Sequence, residues 1–144
     1  MPAPDISHIL EAALYAEDLD VAEDFYGRIL GLEQISRVGA RHAFFRLGAG
    51  VVLIFNPGET VKPPSNPRLP VPPHGAHGPG HICLAADAQA LVEWRARLEA
   101  EGVEIEADFA WPNGARSIYF RDPAGNSIEL AEPRLWTPQG PGDQ

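Results

Sequence analysis

The pattern of residues 11–55 returns in residues 81–131, and this internal repeat constrains the fold more than any other feature of the chain. Glu11 matches His81 at an offset of 70, and Gly31 matches Gly102 at 71. Phe44-Phe45 match Tyr119-Phe120, and Gly50 matches Gly125, both at an offset of 75. Near-constant offsets across a strand, a helix stop and a closing hairpin point to a duplicated unit.

Each copy reads as strand, helix and three strands. In the first, residues 11–16 form an apolar strand, and Asp18 or Asp20 can cap a helix by accepting from its free N–H groups. Ala22, Phe25, Tyr26, Ile29 and Leu30 recur at helical spacing, and Gly31 stops the helix. Strands are expected at 32–37, 42–47 and 51–55, the last two joined through Gly48-Ala49-Gly50. In the second copy a strand at 81–86 leads to the cap Asp87, a helix face of Leu91, Trp94 and Leu98, and the stop Gly102. Strands are expected at 103–108, 116–121 and 127–131, with turn formers at 122–126. The stretch 56–80 holds eight prolines and four glycines and reads as a linker or lid. The expected organisation is a first module at 8–56, the linker or lid at 57–80, a second module at 81–133 and a tail at 134–144 that frays or packs locally.

Composition narrows the function classes. A hydrophobic content of 44% in 144 residues supports a packed core, and a net charge of −9 argues against nucleic acid and anionic membranes. No apolar run reaches membrane-spanning length, the first ten residues lack the character of a secretory signal, and Cys83 is the only cysteine. A cytoplasmic setting is the expectation.

Strand alternation puts Glu11, Ala13 and Tyr15 on one face, and His81, Cys83 and Ala85 on another. Glu129 opposes Ile128 and Leu130. In each strand the aliphatic set can pack under a helix, and the set carrying the polar residue can line a cavity. A carboxylate embedded in Ser-Ile-Glu-Leu-Ala needs a partner if buried, and a divalent cation is one such partner.

The stretches ALYAEDLDVAEDFYGRILGL (13–32), GPGHICLAAD (78–87) and SIYFRDPAGNSIELAEP (117–133) resemble the vicinal-oxygen-chelate proteins, the glyoxalase, bleomycin-resistance and extradiol-dioxygenase superfamily. The resemblance covers roughly residues 8–133. It implies an α+β fold of two tandem βαβββ modules, forming an open, cupped mixed sheet around a shared pocket, and a homodimer. It also implies four metal-ligand positions, which fall on Glu11, Ile54, His81 and Glu129. Ile54 comes from counting four residues beyond Gly50, as Glu129 lies four beyond Gly125. Ile54 cannot ligate, and Glu11 stands where histidine is common. The remaining set, Glu11, His81 and Glu129, suits Mn²⁺, Fe²⁺, Ni²⁺ or Zn²⁺.

The activity implied by the resemblance is that of a divalent-metal-dependent isomerase or lyase. It would act on a small molecule with neighbouring oxygens, with Glu129 or Glu11 moving a proton. Extradiol ring cleavage is a weaker variant. In a metal-free alternative Glu11 meets Arg116, Arg121 or another cation, and the protein sequesters a small ligand or drug. A non-catalytic interaction domain, with the Pro-rich stretch as its arm, is a third reading. Tyr15, Ile54, Cys83, Trp111 and Arg116 are the expected pocket residues; Arg116 or Arg121 could anchor an anion, with a surface ion pair as the default for each. His8 and His42 are expected in solvent, His74 and His77 on an exposed loop, and Cys83 as an inert small hydrophobe.

Overall fold

A computed structural model describes residues 1–137. The chain divides into two compact units, Met1–Ala76 and His77–Gln144. In the first, β1 (Glu11–Tyr15), β2 (Glu33–Val38), β3 (His42–Leu47) and β4 (Gly50–Phe55) form a sheet in the order β1-β4-β3-β2. β1 runs parallel to β4, and the other neighbours are antiparallel. In the second, β5 (His81–Ala85), β6 (Ala107–Ala110), β7 (Arg116–Arg121) and β8 (Ser127–Ala131) repeat this as β5-β8-β7-β6. Each unit is a βαβββ module with a four-stranded mixed sheet.

The period of two in each strand sorts its side chains between a helix-covered face and an open face. Under the first helix lie Leu14, Ala43, Phe45, Val52 and Ile54, packed with Leu19, Ala22, Phe25 and Tyr26. That helix begins as α1 (Leu19–Glu23), with Asp18 accepting from the N–H groups of Asp20 and Val21. It then widens into a π-helical stretch, Asp24–Ile29, closed by Leu30 N–H donating to Phe25 O at 2.9 Å. The Pro-rich stretch is not wholly irregular, because Asn56 caps the short helix α2 (Pro57–Thr60) by accepting from Gly58 N–H. Further on, His74 N–H returns to Thr60 O at 3.0 Å, so this part of the segment is held to the first unit. In the second unit Leu91 and Leu98 of α3 (Ala88–Ala100) cover Ile118, Phe120, Ile128 and Leu130.

The strand anticipated at 103–108 begins only at Ala107. Gly102 ends α3 with φ of 76°, Val103 N–H bonds back to Leu98 O and Gly102 N–H to Glu99 O. This helix-end motif takes the donor that a ladder would need. Of the anticipated tail, Pro133–Trp136 forms a 3-10 turn that buries Leu135 and leaves Trp136 exposed, and residues 138–144 lie outside the described residues. No helix among the described residues is long and apolar enough to cross a membrane.

Candidate functional site

The open face of the second sheet carries the densest chemistry, with Glu129 at its centre. Strand register sets Cys83 on one side of Glu129 and Tyr119 on the other. Glu129 is 5% exposed, and Ser117 and Ala131 on the same face are buried beside it. Ser117 Oγ donates to Glu129 Oε2 at 2.6 Å, and Trp111 Nε1 donates to Ser117 Oγ at 2.7 Å. Phe109 lies 5.8 Å from Tyr119 and 4.8 Å from Trp111 between ring centroids, and His81 stacks 6.1 Å from Tyr119. An aromatic wall thus flanks a single buried carboxylate.

The carboxylate controls its neighbours. Burial pushes the Cys83 thiol up to about 12, and the charge of Glu129 and a hydrogen bond to it push in the same direction. Tyr119 is raised to about 12 by burial first and by Glu129 next. Both side chains are therefore neutral donors toward Glu129 near neutral pH.

His81 completes the group. Its Nδ1 lies 3.0 Å from Ser127 O, and a carbonyl can only accept, so Nδ1 carries a hydrogen. Its Nε2 then faces Glu129 Oε1 at 3.3 Å. An unprotonated Nε2 would oppose its lone pair to a carboxylate oxygen. The pair needs a proton or a cation between its atoms, and the imidazole-plus-carboxylate donor set fits a borderline divalent metal. Among the described residues, no group of three or more His, Cys, Asp or Glu side chains is gathered to hold a metal ion.

The glyoxalase/bleomycin resistance protein/dioxygenase superfamily model matches residues 6–130. This chain belongs to that superfamily. The crystal structure of a lactoylglutathione lyase from Agrobacterium tumefaciens superposes with a TM-score of 0.86 at 44% identity, covering 92% of this chain and 98% of that one. TioX from Micromonospora sp. ML1 gives 0.68 at 25% identity, covering 88% and 98%. The fosfomycin resistance protein FosX from Listeria monocytogenes gives 0.67 at 23%, covering 91% and 97%, a likeness of fold alone.

Within this superfamily member the expected site residues divide. His81, Cys83, Glu129 and Trp111 come together in the second unit. Glu11 and Tyr15 share the open face of the first sheet, where Glu11 is exposed and Tyr15 Oη bonds His74 Nδ1 at 2.7 Å. His74 is therefore half-buried and engaged rather than loose in solvent.

Ile54 is misplaced by the glycine count. It is fully buried on the helix-covered face, and the residue in register with Ala13, as Glu129 is with Cys83, is Leu53. The turn glycine with left-handed backbone is Gly48, at φ of 58°, whereas Gly50 already belongs to β4. Counting from Gly50 therefore slips by one residue. Arg116 is also displaced from the pocket. It lies on the helix side with Ile118, where Nε and Nη2 clasp Asp108 at 2.8 and 2.6 Å and Arg95 shares the same carboxylate. Arg121 is bound to Glu106 at 2.7 Å.

His42, expected in solvent, is 7% exposed and stacks on Phe44 at 3.9 Å. Burial and the neighbouring Arg41 charge hold its imidazole below its ordinary range. Ser117 escaped notice in the sequence, since a strand serine has no motif. Alternation beside Tyr119 would have put it on the Glu129 face.

Proposed function

We propose that the chain is a divalent-metal-dependent lyase or isomerase that acts on a small molecule with two neighbouring oxygens. The observation that carries this reading is the His81 Nε2 to Glu129 Oε1 approach, with Nδ1 already committed to Ser127 O. His81 and Glu129 would hold the ion, drawn from Mn²⁺, Fe²⁺, Ni²⁺ or Zn²⁺, with its other positions left to water or substrate oxygens. The metal would supply charge to stabilise a developing oxyanion.

The 44% identical lactoylglutathione lyase supports the substrate class, because a lactoyl thioester carries a hydroxyl beside a carbonyl. In such chemistry a proton leaves one carbon and is returned to its neighbour, so no external oxidant is required. Glu129 would be the base that carries it. Ser117 keeps Glu129 Oε2 occupied and leaves Oε1 directed toward His81. Tyr119 and Cys83, held neutral, donate hydrogen bonds to Glu129 and keep their protons. A homodimer accompanies this reading and is checked by light scattering.

A second reading, a metal-free protein that sequesters a small ligand, is favoured by the same pair, since a proton on His81 Nε2 would satisfy Glu129 Oε1 without a metal. Elemental analysis of untagged protein, purified without chelator, separates the two. About one equivalent of transition metal, lost in Glu129→Ala, together with turnover of lactoylglutathione or a related thioester, is expected. No bound metal after dialysis against Mn²⁺, Ni²⁺ and Zn²⁺ overturns the metalloenzyme reading.

A further inference from the structure

The first unit contains a cleft of about 430 Å³ between the start of β3 and the Pro-rich segment. Its lining includes Arg41, His42, Thr60, Leu69 and Val71, together with Lys62 and its partner Glu59. His42 and Thr60 are buried polar groups, whereas Leu69 and Val71 are exposed apolar side chains.

Arg41 is the distinctive member. It is half-buried, and its guanidinium lies 5.5 Å over the Phe55 ring. One of its nitrogens, Nη1, donates to His42 Nδ1 at 2.6 Å. Nδ1 thus accepts, leaving Nε2 as the hydrogen-bearing nitrogen, 3.2 Å from Ser36 Oγ. Among the described residues no carboxylate pairs with Arg41, in a chain with a net charge of −9. Its neighbour Lys62 is different, being neutralised by Glu59 at 2.6 Å. A guanidinium has five donors in a planar fork. With one spent on the imidazole and the plane steadied over an aromatic ring, the rest of the fork is available to an oxyanion.

We propose that this cleft binds the carboxylate of a small amphipathic acid, with Arg41 clasping the carboxylate and Leu69 and Val71 covering an apolar body. An acylated amino acid has the matching chemistry, with one carboxylate, one amide and an aliphatic side chain. The acid is either an arm of the substrate or a separate ligand. The neutral His42 supports the arrangement, since it places no second charge beside Arg41.

The probe is N-acetyl-L-leucine, with N-acetyl-L-leucinamide as its uncharged match, titrated into the full chain by calorimetry and by amide NMR. Saturable binding of the acid is expected, with the largest shifts at residues 41–42 and 60–71. The amide should bind at least about tenfold more weakly, consistent with loss of one charge-assisted contact. Arg41→Gln should weaken the acid to the level of the amide, and Arg97→Gln on α3 should leave it unchanged. Leu69→Asp, at an exposed wall position, should weaken the acid by repulsion without touching the core. No saturable binding in the millimolar range, equal binding of acid and amide, or full binding by both Arg41→Gln and Leu69→Asp would overturn the proposal. Competition with a turned-over substrate assigns the carboxylate to that substrate, and binding without competition assigns it to a separate acid, either result supporting the site. The titration reads no turnover, so its outcome is independent of the lyase reading.

Discussion

Ser117 Oγ donates to Glu129 Oε2 across the β7–β8 pair at 2.6 Å, and both residues are buried. Trp111 donates to the same Ser117 oxygen, so one hydroxyl links an indole and a carboxylate. Replacing Ser117 by Ala leaves the indole N–H without its acceptor and Glu129 Oε2 without this donor. Stability should fall by about 1–3 kcal/mol, the usual cost of an orphaned buried polar group. Urea unfolding checks this, and an unchanged midpoint would show that water replaces the hydroxyl at no cost. Metal content should fall in parallel if the orientation of Glu129 governs its ligation.

Ile54 and Leu53 are sequence neighbours on opposite faces of β4. Ile54 is fully buried beneath α1 and its π-helical extension, so Ile54→Ala should cost about 2–5 kcal/mol through lost transfer energy and a residual cavity. The metal content of the folded variant should match the parent protein. A variant of unchanged stability but altered metal binding would place Ile54 in the pocket after all.

That one-residue difference marks how far the sequence could be read. The βαβββ pattern of each half was legible because alternation and helical spacing are local signals, whereas the strand expected at 103–108 starts only at Ala107. Alternation puts His81 and Cys83 on one face of β5, while the β5–β8 register, which alternation does not give, sets Cys83 beside Glu129. The equivalence of Leu53 with Glu129 was hidden because nine positions separate Phe44 from its partner Leu53, and ten separate Tyr119 from Glu129. The extra residue lies in the second hairpin, and only strand register reveals it. Arg116 forms the ion pair that is its default reading rather than the anchor of a pocket, and the sequence could not name its partner. Its partner Asp108 comes from another strand, and Arg95 from a helix shares that carboxylate, a long-range match that no local spacing announces.

His42 gives a pH dependence whose sign can be worked out. Burial, then Arg41, lowers its folded-state value below the ordinary 6.5. Between the two values the unfolded chain binds more protons, so this contribution to stability is complete above about 6.5 and is lost as pH falls below it. Unfolding midpoints measured from pH 7.5 to 5 should decline, and imidazole NMR should show His42 titrating below 6.5. Arg41→Gln removes the neighbouring charge and should raise the His42 value. A fall in that value would show that Arg41 acts there by something other than its charge.

Cys83 is exposed to solvent, yet its thiol is pushed up to about 12, chiefly by burial of its sulfur environment and then by Glu129. At pH 8 a thiol near 12 carries roughly a thousandfold less thiolate than one at the ordinary 9.0, and thiolate is the reactive form. Alkylation by iodoacetamide should therefore run about two to three orders of magnitude slower than for an unperturbed cysteine. Glu129→Gln removes the charge but not the burial, so it should recover only part of that rate, about tenfold. Rates as fast as those of an unperturbed thiol, or unaffected by Glu129→Gln, would separate Cys83 from the Glu129 carboxylate and undo the assignment of this thiol as a neutral donor in the site.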